Sequence, residues 1–439
     1  MKSPFSDADF SDHREQARTD RAAARIWLAA LPPCVIPAMT RRKTGLWLIG
    51  ARGGVATTTI VGLIALRKGL TTEQGLVSSQ SQFRRLDLLD WNDIVIGGHE
   101  IREADLGHEA EALARTGRAL DRSLIEACRP DLTEIDQAIR PGVLFNVGST
   151  VEQLATEDLR RRNETPRESI QRVQDDLGAF SRAHDLGQIV VLNVASTEPP
   201  IDVDRLPADW QTMNQQLDDP QVCPLPASSL YAIAALQLGH PYVNFTPSVG
   251  STPQAIHELA IDNHTCHMGQ DGKTGETLLK SVLGPMFANR NLGVMSWVGH
   301  NLFGNLDGKV LSDPANKQSK VATKDRVLGQ TLGYTPQTVV GIEYIESMGD
   351  WKTAWDHIHF RGFLGTPMVL QFIWQGCDSL LAAPLVLDLL RLTERADRQG
   401  QRGLLTFLAS FFKSPLGVAE HGFERQFQML EAWATEVTG

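Results

Sequence analysis

At 439 residues the chain is too long for one simple core, and 42% hydrophobic with 21% charged residues fits a soluble globular protein rather than a disordered one. The formal net charge of −10, with no large basic block to offset it, argues against a nucleic-acid binder. Five scattered cysteines (Cys34, Cys128, Cys223, Cys266, Cys377) without a CxxC pair point to reduced thiols in a cytoplasmic compartment, not to a disulfide framework or a cysteine zinc site.

Residues 1–40 form a charged leader without the apolar core of a signal peptide. No run approaches the roughly 18 apolar residues that would span a bilayer. Next comes "GLWLIGARGGVATTTIVGLIALRKGL": an apolar strand at 46–49, a glycine-rich turn, then a helix over 55–68. Such a strand, tight loop and helix open a mononucleotide-binding unit. Strand-like runs follow at 93–98, 188–196 and 241–247, separated by helical stretches at 169–183 and 228–237. This alternation predicts a parallel sheet with helices on both faces.

After about residue 250 the character changes. "GKTGETLLKSVLGPMFANRN" predicts a helix with Leu278, Leu279, Val282, Leu283, Met286 and Phe287 as its apolar face. Strand-like runs at 292–297, 338–345 and 368–374 have few helices between them, which suggests an open sheet able to pair subunits. The run 378–392 returns to a strongly apolar helix, and the polar tract 395–402 reads as a loop.

The turn Gly50-Ala51-Arg52-Gly53-Gly54, followed by Val55 and Ala56, has backbone NH groups and a helix N-terminus suited to a pyrophosphate, although its spacing is not GxGxxG. Glu100, ending "IVIGGHE", is the better-placed candidate for a ribose-binding acid, ahead of Glu73. In "GQDGKTGET", loop NH groups and the hydroxyls of Thr274 and Thr277 suit a phosphate monoester, with Glu276 an unfavourable neighbour. An ordinary turn or capped helix explains each of these equally well in isolation. "GHNLFGNLDG" reads first as a turn, Lys352 and Lys413 as surface lysines, and Asp378 as a helix cap. His357 and His359 share one face of a strand and lack metal-ligand spacing.

"QSKVATKDRV" is harder to dismiss. Lys320 and Lys324, four apart, crowd two like charges onto one helical face, which costs a few tenths, about 0.3 kcal/mol, on a solvated helix.

Taken in order, "GARGGVATT", "IVIGGHEI", "LNVASTEP", "YVNFTPS", "GQDGKTGET", "GHNLFGNLDG", "QSKVATKD", "MGDWK" and "GCDSLLAAPL" resemble the myo-inositol-1-phosphate synthase family, in its bacterial type. The resemblance implies an α/β fold: a Rossmann-type NAD-binding domain over 41–250 and 376–439, completed by C-terminal helices. Between them it implies an inserted α+β catalytic and tetramerisation domain, 251–375, built on an open sheet. The implied reaction converts D-glucose 6-phosphate to 1D-myo-inositol 3-phosphate by C5 oxidation, enolisation, aldol closure and re-reduction. NAD is the implied cofactor and a homotetramer the implied assembly, while a monovalent or divalent cation stays open.

The resemblance also assigns residues. Lys320, Lys324, Lys352, Lys413, Asp307 and Asn301 are implied to be catalytic. Thr274, Gly275, Glu276 and Thr277 are implied to hold the substrate phosphate. Gly50, Arg52, Gly53, Gly54, Val55, Ala56, Glu100, Asn193, Ala195, Ser196, Asp271 and Asp378 are implied to hold the cofactor. Departures from the eukaryotic pattern include Glu276 in place of glutamine, and "GGHE" in place of a tryptophan and an aspartate. A conventional NAD-dependent sugar-phosphate or polyol dehydrogenase, or a non-catalytic NAD-binding protein of the same fold, are the alternatives.

Overall fold

The computed structural model describes residues 43–117, 120–305, 308, 328–329 and 331–439. Its first strand, β1 (Lys43–Ile49), carries four consecutive large apolar residues because both of its faces are covered. Leu46 and Leu48 point into one core, and Trp47 and Ile49 point into another. The same division recurs in β4 (Leu186–Asn193), where Val190 and Leu192 oppose Ile189 and Val191. Each fully buried leucine or isoleucine contributes on the order of 2 kcal/mol of hydrophobic stabilisation. A charge at any of these positions would face a dry core.

Around these two strands lie β2 (Ile94–Glu100), β3 (Ile139–Pro141), β5 (Tyr242–Asn244), β6 (Cys266–Met268) and β11 (Gly403–Leu404). All seven pair in parallel, in the order β11-β6-β5-β4-β1-β2-β3. The chain runs outward from β1 through β2 to β3, then returns to the other side of β1 with β4. That reversal opens a crevice at the carboxyl ends of β1 and β4, where doubly wound sheets bind ligands.

Helices cover both faces. α1 (Gly54–Arg67), α2 (Arg122–Asp136), α7 (Asp378–Arg398) and α8 (Phe423–Thr438) contribute to the core holding Leu46 and Leu48. α3 (Pro166–His184), α4 (Ala227–Gln237) and α5 (Gln254–Asp262) contribute to the other. α3 begins with a full capping box, Thr165 with Glu168, and has Pro166 in its first turn. The segment 395–402, read from sequence as a loop, is helical as far as Arg398. Glu394 is buried there, and Arg398 is tied to it and to Asp87.

A second sheet comes from β7 (Gly293–Phe303), β8 (Gln337–Tyr344), β9 (Trp351–Arg361) and β10 (Pro367–Cys377), in the order β10-β9-β7-β8. β7 pairs in parallel with β8 and antiparallel with β9, so the sheet is mixed. The transition between sheets comes after β6, since Cys266–Met268 still pairs with β5 and β11. Sequence reading did not find β9 as a whole element. Its alternation of Ala354, Asp356 and Ile358 on one face with Trp355, His357 and His359 on the other mixes polar and apolar residues on both.

α6 (Gly275–Asn289) packs on this second sheet, and the apolar face read from sequence is largely not the buried one. Val282 and Met286 are exposed, whereas Glu276, Thr277, Lys280, Ser281 and Gly284 are buried together with Phe287. The physical reason is a fully buried ion pair: Glu276 and Lys280, one turn apart, meet at 2.7 Å. Asn301 donates to Glu276 at 2.6 Å, and Lys280 lies 5.7 Å from the Trp297 ring centre. Paired and hydrogen-bonded, these groups avoid the cost of burying bare charge.

Candidate functional site

The crevice beyond β1 and β4 deepens into a cavity that runs from the first glycine turn to the second sheet. Gly50 has φ +80°, a conformation that glycine adopts without penalty. A Cβ there would lie 2.8 Å from Ala195 Cα, so the turn after β1 and the loop after β4 can approach only with glycine at this place. α1 then begins at Gly54 with no side-chain cap among the described residues and no acid in its first turn. Gly53, Gly54 and Val55 at this helix start line the cavity, where helix-initial NH groups are available to a ligand. A Cβ on Gly54 would come within 2.8 Å of Ser379 Oγ, closing that approach. An uncapped helix start behind a glycine cradle fits a dinucleotide pyrophosphate.

At the end of β2, Glu100 is buried and multiply bonded. It accepts from the NH groups of Arg52, Ile101 and Arg102 at 3.0, 2.9 and 3.1 Å, and from the Arg102 guanidinium at 3.2 and 3.3 Å. His99 beside it is structural in its contacts. Trp47 Nε1 donates to its Nδ1 at 3.1 Å, which leaves Nε2 to donate to Asp176 at 3.0 Å. Burial lowers the His99 pKa, consistent with a neutral ring. After β4, Asn193 accepts from the Ala195 NH at 3.1 Å and reaches Asn244 and Thr246, tying together the loops of neighbouring strands.

Towards the second sheet the cavity becomes ionic. Lys413 Nζ lies 2.7 Å from Asp271 Oδ1, with only 10% and 5% of the two side chains exposed. Asp271 Oδ2 is buried with no hydrogen-bond partner among the described residues. Lys352 lies 3.4 Å from Asp378 and 5.2 Å from the Phe303 ring centre. Neither lysine is a snorkelling surface residue. Asp378 does not cap its helix. Asp350 does so from the β9 side, accepting from the Ser379 NH at 3.1 Å, the Cys377 thiol at 2.7 Å and Asn305 at 3.1 Å. Burial, with Asp350 beside it, pushes the Cys377 thiol up to about 12, so it remains a thiol.

Lys352, Lys413, Thr274, Gly50, Gly53, Gly54, Val55, Glu100, Asn193, Ala195, Ser196, Asp271 and Asp378 all line this one cavity. Six other residues singled out from sequence do not. The Arg52 side chain turns to Asp136, Ala56 is packed in the core, and Gly275 and Thr277 lie within the first turn of α6. Glu276 and Asn301 are locked to each other and Lys280 beneath that turn. This placement removes the expected conflict between Glu276 and a phosphate, because the carboxylate points away from the helix start. Asp307, Lys320 and Lys324 lie outside the described residues.

Sequence reasoning missed Asp350 and Glu198. Asp350 sits two residues before Lys352 in "GDWK" and could have been found as an acid beside a candidate lysine. Glu198 is a buried cavity residue that accepts from the Ser228 NH at 2.8 Å, and burial raises its pKa to about 7. A carboxyl in "STEP" carries no local signal that α4 will start against it. Among the described residues no cluster of three or more His, Cys, Asp or Glu is arranged to hold a metal, and no helix is long and apolar enough to cross a membrane.

A seven-stranded parallel sheet with a glycine cradle, an uncapped helix start and an acid ending β2 defines a Rossmann-type dinucleotide-binding protein. The match to known proteins is more specific. Residues 44–435 match the NAD-binding family described as myo-inositol-1-phosphate synthase, and the chain belongs to that family. It is 32% identical over 405 residues to an inositol-3-phosphate synthase of Bacteroides thetaiotaomicron, covering 88% of this chain and 91% of that protein. The crystal structure of inositol-3-phosphate synthase from Caenorhabditis elegans superposes with a TM-score of 0.81 at 25% identity, over 91% of this chain and 87% of that one. A myo-inositol-1-phosphate synthase-related protein from Thermotoga maritima gives 0.73 at 25% identity, over 90% and 99%.

Proposed function

We propose that this protein is an inositol-3-phosphate synthase that converts D-glucose 6-phosphate to 1D-myo-inositol 3-phosphate. The observation that carries this reading is the pair of lysine–carboxylate contacts, the buried Lys413–Asp271 and the half-buried Lys352–Asp378, in the same cavity wall as the Gly50–Gly54 turn. Bound NAD supplies reversible hydride acceptance at C5, so the overall conversion has no net redox change.

The residues of the chain do the rest. Thr274 and the NH groups at the start of α6 hold the phosphate of the substrate, with Gly275 and Thr277 shaping that turn. Negative charge develops on the C5 oxygen during enolisation and on the C1 oxygen during aldol closure. Fixed ammonium groups of Lys352 and Lys413 stabilise it, each contributing about 3 kcal/mol in a site shielded from water. Asp271 and Asp378 hold those ammonium groups in place before reaction. Lys320 is assigned to the C5 oxygen and its proton, and Lys324 and Asp307 complete the catalytic set, while Asn301 acts only by holding Glu276 beneath α6.

The proposed division of the chain follows the same logic, with a nucleotide-binding part from the parallel sheet and α7–α8, and a catalytic part from the mixed sheet. The outward face of the mixed sheet supports homotetramer formation. Ile373, Trp355 and His300 lie side by side across three strands there, and Ile373 is 70% exposed. The charge and cysteine pattern support a cytoplasmic location.

Incubating the protein with NAD and glucose 6-phosphate tests the function. An inositol monophosphate identified by NMR, without NADH accumulation, is expected. Stoichiometric NADH would instead identify a conventional sugar-phosphate dehydrogenase and overturn the synthase reading.

A further inference from the structure

Two guanidinium groups flank the end of β2, and both are bonded to carboxylates. Arg52, between the glycines of the first turn, makes a two-point contact with Asp136, through Nε at 2.8 Å and Nη2 at 3.0 Å. Arg102 bridges Glu100, at 3.2 and 3.3 Å, and Glu109, at 3.3 Å. Its Nη2 also donates to the Arg52 carbonyl at 2.7 Å, joining the two arms. Arg102, Glu100 and Glu109 line the cavity, so this arm faces a bound nucleotide, while Arg52 is turned from the cavity to Asp136.

Resting on the NAD-binding reading, we infer that Asp136 and Glu109 make this site select NAD over its 2′-phosphorylated form by holding Arg52 and Arg102 away from the adenosine ribose. Chemistry at this position of a dinucleotide fold is simple: an acid accepts from the ribose 2′-hydroxyl, whereas a free arginine receives a 2′-phosphate. Here both kinds of residue are present. Three carboxylates against two guanidiniums leave one net negative charge, and each arginine makes a two-point contact with a carboxylate. A dianionic phosphate would meet repulsion from that net charge. Glu100 has been assigned to the cofactor from its place in the fold. Asp136, 36 residues further on at the end of α2, and Glu109 act only through the arginines and are positioning residues.

Calorimetric titration of the full chain with NAD+ and with NADP+ tests this. The unaltered protein is expected to bind NAD+ with NADP+ at least about 100-fold weaker, the discrimination expected when a charged group finds no partner. Failure to bind NAD+ would defeat the cofactor reading itself, separately from this inference. In Asp136→Asn/Glu109→Gln, NADP+ affinity should rise about tenfold or more, as one new charge-assisted contact to a phosphate provides. NAD+ affinity should stay within about threefold, and adding Arg52→Gln and Arg102→Gln should abolish the gain. An unchanged NADP+ affinity, or a changed ratio arising only from weaker NAD+ binding, would overturn the inference. If the double variant melts early, Glu109→Gln alone decides on the same criterion, since that side chain is 28% exposed.

Discussion

Lys413 and Asp271 are 142 positions apart in the chain and meet at 2.7 Å in the cavity wall, where the Lys413 NH also donates to the Asp271 carbonyl at 2.7 Å. The segment carrying Lys413 is thus clamped to the segment after β6 by both backbone and side chain. Removing one partner leaves the other charge buried. Lys413→Met and Asp271→Asn should each cost about 3 kcal/mol in urea unfolding, and the double variant should recover much of that loss. Turnover should not recover. It should remain down about 10²–10³-fold in Lys413→Met and in the double variant, because the ammonium serving the oxyanion is gone. Recovery of both quantities together would assign the pair a purely structural role.

Glu276 separates a phosphate-binding role from a packing one. Its carboxylate is bonded to Lys280 and Asn301 under α6 and does not line the cavity. Glu276→Gln should therefore destabilise the fold by about 3 kcal/mol, the scale for breaking a buried ion pair, while KM for glucose 6-phosphate moves less than about threefold. A large KM change with unaltered stability would return Glu276 to the phosphate site.

Lys273 lies behind the same turn, buried, with its Nζ bonded to Gln426 of α8 and 5.9 Å from the Phe423 ring centre. Burial lowers its pKa from 10.5 to about 7. Between pH 7 and roughly 10 the unfolded chain binds this proton and the folded chain does not, so stability rises with pH across that window. Below pH 7 both states are protonated and this slope vanishes. Comparing unfolding free energies of the parent and Lys273→Met from pH 7 to 10 should show the parent steeper by up to about 1.4 kcal/mol per pH unit. Parallel profiles would show that Lys273 stays charged in the fold.

Lys320→Ala should retain NAD binding, measured by calorimetry, and lose turnover by about 10²-fold or more. Unchanged activity would remove Lys320 from its assigned role at the C5 oxygen and leave the proton to another lysine.

The parallel-sheet class, the turn after β1, the helices α1, α3 and α4, and the family itself were legible in the sequence. These features rest on short-range signals: apolar runs of strand length, glycine where the backbone turns sharply, and ordered motifs. Local pattern failed at α6. Its apolar stripe predicted Val282 and Met286 inside, yet the tertiary structure buries the Glu276–Lys280 pair against Asn301 and Trp297. No hydrophobic periodicity can register that choice, because its compensation comes from β7, outside the helix. The same holds for the arginines beside Glu100, the cap that Asp350 provides for α7, and the Lys413–Asp271 clamp. Local sequence was enough for most elements of the parallel sheet and for the chemistry the chain carries, but not for β9 or the last turn of α7. Which charges face the cavity and which are neutralised inside was decided only by tertiary contacts, since the cost of a buried charge depends on the partner that the fold brings to it.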